Sequence, residues 1–347
     1  MSPIHVLTVI LWSALLPAQN VITSAGYFSP APVSVAPGQV ITLFVDGVGK
    51  SLTQPVRAPS GSWATTLAGI SVTLRQFNEQ AVPILEVRPM STCPTGSLPD
   101  SKPSCATVAA VTVQIPYDLV PLCPLCLTPI AFPPPWLYVT EGNQTGMAFE
   151  LNPLADQIHI LTSCDVFLSR FVDPPPQNTT GLRCPSLVTH PDGSLVSASQ
   201  PGQGGEQLTV WAVGLGGTDP PAVTGRPASN PLPITANLDV DFSFRVNALP
   251  LKPQFNRMPV YAALTQGFVG LYQINFAAPV ALPGTPACAP SGTLTSGANA
   301  VQSNLTVSFG GAFSFDGAGI CIAVPKASDR PAGPVEIRPI PEKLLWN

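Results

Sequence analysis

Charge is scarce in this chain. Lysine and arginine number 15 and aspartate and glutamate 19 among 347 residues, 10% in all, against about 25% in ordinary soluble domains. The balance is −4 and the isoelectric point near 5.3, so no basic stripe can neutralise phosphates and nucleic acid is not expected as a partner. Histidine is nearly lacking, with 3 residues, which leaves few groups that change charge near neutral pH. Long apolar runs are missing too. Mean hydropathy is +0.30, yet the body of the chain has no uninterrupted stretch of the ~18 residues a transmembrane helix requires. Neither a Gly-x-Ser-x-Gly elbow nor a phosphate-cradling loop is present, and no cofactor is expected.

What is abundant is proline, with 43 residues, beside 28 glycines and an apolar fraction of 45%. Disordered chains combine low hydrophobicity with high charge, the opposite of this composition. Proline interrupts nearly every window long enough for a helix. Short runs of Val, Leu, Ile and Phe between prolines and glycines instead read as many brief strands joined by stiff turns. The expected fold class is all-β. Val6–Leu16 is an apolar stretch too short to span a bilayer, followed by Leu16-Pro17-Ala18 with a small residue at a cleavage position. Residues 1–18 are thus expected to be an export signal, with no transmembrane segment after its removal. Eight cysteines suit an oxidising compartment. Sequence order suggests Cys93–Cys105, Cys123–Cys126, Cys164–Cys184 and Cys288–Cys321, among about 105 pairings that eight cysteines allow.

The chain also resembles itself. The stretch from Pro37 to Gly49 aligns with that from Gly204 to Gly216: a turn, a strand of near-continuous apolar character, then Gly-x-Gly. Val111 to Pro116 aligns with Ile274 to Pro279, each a strand stopped by a residue that cannot donate to a ladder. Between these landmarks, Ile70–Phe77 and Leu238–Val246 occupy corresponding places. Asp239 to Phe244 alternates strictly and should turn Val240, Phe242 and Phe244 toward a core. One apolar sheet face cannot remain in water, so a second sheet must cover it in each half. Two tandem immunoglobulin-like β-sandwich domains are expected, at 19–170 and 204–325. A proline-rich linker at 171–203 would join them, and a tail at 326–347 would follow.

Three stretches carry a likeness to a known family: Val213-Gly214-Leu215-Gly216; Gly267-Phe268-Val269-Gly270-Leu271-Tyr272-Gln273-Ile274-Asn275-Phe276; and Ser303-Asn304-Leu305-Thr306-Val307. Together they resemble the uncharacterised C-terminal domain family of secreted proteins of Solibacter and related acidobacteria, over about 188–324. The first half lacks the Gly-Leu-Tyr-Gln-Ile-Asn run, which makes it a divergent copy. Pro37–Gly49 is also similar to the opening strand of immunoglobulin-like IPT/TIG domains. The resemblance implies secretion and a β-rich fold, and it implies no mechanism.

Candidate chemistry is thin. His159, in Ile158-His159-Ile160, reads as a hydrogen-bonded structural imidazole. His190, Asp192 and Ser194 are triad residue types, but one tight turn seldom aims three side chains at one another. Asp239 and Asp241 lie on one strand face about 7 Å apart. That spacing would suit calcium or a hydrolase, although a solvated face explains it more simply. Cys123-Pro124-Leu125-Cys126 has redox spacing without a following helix and reads as a loop disulfide. A zinc site joining it to Cys93 and Cys105 suits an exported chain poorly. No catalytic or metal residue is therefore assigned.

Aromatic residues are the better binding candidates. Trp63 in a polar loop, Phe268 between glycines, and Tyr272 in the Gly-Leu-Tyr-Gln-Ile-Asn run are singled out. Trp136 and Tyr138, on one strand face after three prolines, are read mainly as packing. Asn143, Asn178 and Asn304 fit glycosylation sequons, which in a bacterial protein, as the resemblance implies, arise by chance. The function expected is adhesion to, or binding of, an extracellular polysaccharide or protein by a non-enzymatic secreted or cell-surface protein. The alternatives are a structural accessory pair of an exported assembly and a hydrolase with an unfamiliar site.

Overall fold

Apolar runs too short for helices can satisfy their backbone amides only by pairing with one another. In the computed structural model of the chain they do so throughout. The structure describes residues 20–26, 34–59, 61–92, 106–121, 132–163, 165, 185–254, 261–288 and 303–325, and among these every regular element is a strand. The protein is all-β, with several sheets arranged consistently with sandwich packing.

In the first half, a five-stranded antiparallel sheet runs in the order Val21–Gly26, Val40–Asp46, Ala106–Gln114, Ile84–Thr92, Val56–Arg57. Facing it is a sheet centred on Ile70–Arg75 and Trp136–Glu141, with Glu79–Val82 flanking the former and Phe149–Glu150 the latter. Alternation sends Leu43, Val45 and Val111 of one sheet against Val72, Leu74, Leu137 and Val139 of the other, in one buried cluster. The second half repeats the plan. Gln207–Val213, Tyr272–Ala277 and Tyr261–Leu264 form the middle of one sheet, and Asp239–Ser243, Leu305–Gly310 and Phe315–Ile320 form the other. Leu208, Val210, Ile274 and Phe276 meet Val240, Val307 and Phe309 in a second cluster. Burying each such side chain stabilises the fold by about 1.5–3 kcal/mol.

The internal similarity extends to strand register. Ile41 pairs with Val113 and Leu43 with Val111; the aligned residues Leu208 and Val210 pair with Phe276 and Ile274. Between them, the Thr42 and Thr112 hydroxyls are 3.0 Å apart, and Thr209 donates to Asn275 at 3.0 Å. The entering turns match as well. Gln39 Oε1 accepts the Ala36 amide at 2.7 Å, as Glu206 Oε2 accepts that of Gln203. Ile115 donates to Gln39 at 2.8 Å and Ala278 to Glu206 at 2.7 Å.

Two expected boundaries need correction. Leu154 still donates to Val35 in the first half, whereas Gln157 donates to Gly214 in the second. His159–Ile160 then pairs with Val213 and Ala212. The chain therefore enters the second sheet near residue 156, not after 170. Within the expected linker, Val188–Thr189 is a strand paired with Val210 and Thr209. Both elements are two residues long, too short for hydrophobic periodicity to reveal.

Candidate functional site

Trp136–Glu141 alternates between half-buried and buried positions at its start: Leu137 and Val139 point into the core, so Trp136 and Tyr138 stand on the solvent side. Their cross-strand neighbours there are Arg75 and Thr73. Beyond these lie Glu79 and Ala81 on one side and Glu150 on the other. At the tip of the 76–78 turn, Phe77 is 54% exposed. Phe132 meets it edge to face, with ring centroids 5.8 Å apart. An outward sheet face would ordinarily be polar. This one carries a row of rings interleaved with Thr73, Ser71 and Thr140.

The aromatic residues singled out from sequence fare differently. Phe268 stays on the surface, 54% exposed at the turn after Tyr261–Leu264. Trp63 is half-buried at the junction of the halves. Its amide donates to Gly225 at 2.8 Å, and its ring packs on a cluster with Val40, Leu161 and Val213. The rest of its surface is left exposed. Tyr272 is fully buried in the second core, so it cannot meet a ligand. Its hydroxyl donates to the Gly216 carbonyl and receives that of Tyr117 at 3.3 Å. Burial pushes the Tyr117 phenol up to about 12. A signal for Tyr272 lay in the sequence, because it shares strand parity with Ile274 and Phe276.

The remaining polar candidates are engaged locally. Asp192 accepts the Ser194 amide at 2.9 Å and its hydroxyl at 2.6 Å. His190 turns its Nδ1 to Glu206 at 2.7 Å and its Nε2 to the Gln200 carbonyl at 3.2 Å. Both partners are acceptors, which favours the protonated imidazole, and the Glu206 hydrogen bond raises its pKa. No base is thereby aimed at Ser194. Asp239 and Asp241 are half-buried on an outer strand, and among the described residues no group of three His, Cys, Asp or Glu is placed to hold a metal. Asn304 is fully buried, donating to Pro286 and Ile322 and accepting the Ile322 amide at 2.8 Å. A glycan there would have no space.

Cys288 and Cys321 form a disulfide with Cα atoms 5.5 Å apart, as sequence order suggested. Cys93, Cys105, Cys123, Cys126, Cys164 and Cys184 lie outside the described residues, as do Asn178, the export segment at 1–18 and the tail at 326–347. No helix among the described residues is long and apolar enough to cross a membrane.

Three buried polar clusters carry no signal that sequence patterns could have exposed. Asp156 accepts the amides of Ala312, Phe313 and Ser314 and the Ser314 hydroxyl, at 2.8–3.3 Å. His159 lies between Asp165 at 2.9 Å and Asp316 at 3.5 Å. Burial alone would lower its pKa, but the charge and hydrogen bond of Asp165, joined by Asp316, raise it to about 9. Glu86 bridges Arg57 and Arg88, the latter at 2.6 Å. His159 and Glu86 sit in ion pairs, and Asp156 is held by amides and a hydroxyl. Comparison of the chain with protein-family models and with curated proteins finds no match.

Proposed function

We propose that the chain is an exported, non-enzymatic protein of two tandem immunoglobulin-like β-sandwich domains that binds an extracellular polymer or partner. The observation that carries this reading is the solvent-facing pair Trp136 and Tyr138 on a sheet whose inner face is already filled. Large rings are placed on such a face at a cost in exposed apolar surface, and surfaces of this kind mark interaction sites. Export is supported by the apolar Val6–Leu16 stretch, by the disulfide between Cys288 and Cys321, and by the resemblance to secreted Solibacter-type proteins. A binding role without chemistry is supported by the engagement of His159, His190, Asp156 and Glu86 in local ion pairs and hydrogen bonds.

The test is retention of the purified protein on immobilised polysaccharides and matrix proteins, beside an unrelated β-sandwich of similar size. Selective retention on at least one support is expected. Passage through all of them together with the control would overturn the reading.

A further inference from the structure

We infer that the sheet face bearing Trp136 and Tyr138 is a binding platform for an extended, uncharged polysaccharide. This inference rests on the reading above and narrows it to one face and one ligand class.

The first argument is shape. Trp136 and Tyr138 are two residues apart on a strand, and Phe77 lies beyond Arg75, the residue paired with Trp136. At about 7 Å for each two-residue step the row is on the order of 14 Å long. It lies along the outer face of a sheet whose inner face is filled by the core. A row of rings on a plane suits a ribbon-like ligand that offers apolar faces repeatedly along its length, as linked sugar rings do. The C–H bonds of a pyranose face are slightly positive and are attracted by the negative face of an aromatic ring.

The second argument is polarity. Ser71, Thr73 and Thr140 share this outer face with the rings. They supply hydroxyls where the rims of sugar rings, lined with hydroxyl groups, would sit. The third argument is charge. Arg75 is outnumbered by Glu79 and Glu150 on the same face, and the whole chain carries −4. A polyanion, whether an acidic polysaccharide or a phosphate polymer, would meet like charge. A neutral chain meets none.

The experiment uses the full chain against amorphous cellulose, chitin, starch and xylan as neutral probes, with alginate and hyaluronan as charged ones. Capture by at least one neutral probe is expected. Trp136→Ala and Tyr138→Ala should each weaken it roughly tenfold, in line with the loss of one aromatic stacking contact. Trp136→Phe should keep most of the binding, and Phe268→Ala should leave it unchanged. Both alanine variants should stay folded, with a cooperative urea transition of wild-type slope, since neither ring belongs to the buried clusters. Neutral-probe capture that survives both alanine substitutions would overturn the platform while leaving the broader reading standing. Capture by alginate, hyaluronan or a matrix protein alone would overturn the ligand class. Capture by nothing at all would overturn both.

Discussion

At the scale of single residues, the buried charges decide stability more than they suggest chemistry. Asp156 substitutes for an anion held by the 311–314 turn, and a Cβ on Gly311 would collide with its carboxylate. Asp156→Ala strands buried amides on that turn. It should destabilise the protein by about 3 kcal/mol, measured as a shift in urea midpoint at constant slope. His159 makes stability depend on pH. Its folded pKa is about 9 against the ordinary imidazole value of 6.5, so between those values the native state holds a proton that the unfolded chain has released. The contribution is complete below pH 6.5, declines as pH rises, and is gone above about 9. Urea titrations at pH 6 and pH 10 should show the loss, and His159→Gln should flatten it. An unchanged profile in the variant would remove His159 as the cause.

At the scale of strands, parity and turn residues account for most of what the sequence revealed in advance. The Val40 and Gln207 strands, their proline-stopped partners, and the alternating Asp239–Ser243 strand were all readable because each is long enough to show a period. Parity also places Trp136 and Tyr138 outside and Tyr272 inside, although residue type alone had suggested the reverse. What stayed hidden were the two-residue strands at 159–160 and 188–189, whose position depends on the neighbour they pair with rather than on their own residues. Pairing of Asp156 with a turn more than 150 positions away has no local signature either. Cys288 and Cys321 are separated by 33 positions and tie the end of the last strand to the segment after Tyr272–Ala277. Closing a loop of that size stabilises a fold by about 3–4 kcal/mol on the chain-entropy model. A Cys288→Ser, Cys321→Ser double variant should lose that much in urea unfolding. Unaltered stability would show that the bond constrains nothing the fold does not already hold.

At the scale of the whole molecule, one seam joins the halves, and the repeat shows why it occurs once. Gln114 is fully buried there: Oε1 accepts the Gly225 amide at 2.6 Å and Nε2 donates to Gly38 at 3.2 Å. Gly270, with φ near +65°, packs so closely that a Cβ would come within 2.6 Å of Val40. Tyr117 and Trp63 close the sides. In the second half the aligned positions are Gln207 in place of Val40 and Ala277 in place of Gln114, both exposed. Apolar contact and amide bridge are therefore both lost at that end, which cannot dock a further unit in the same way. Gln114→Ala places the second half's residue in the first and leaves the Gly225 amide and Gly38 carbonyl without their buried partner, at about 1–3 kcal/mol for each. The Gly225 part of that cost falls on the coupling between halves, and the Gly38 part falls within the first half. Calorimetry of the wild type should show one cooperative transition, and the variant should resolve into two, with each half keeping its own enthalpy. A single transition that merely moves to lower temperature would mean that Gln114 supports one half's interior rather than the seam.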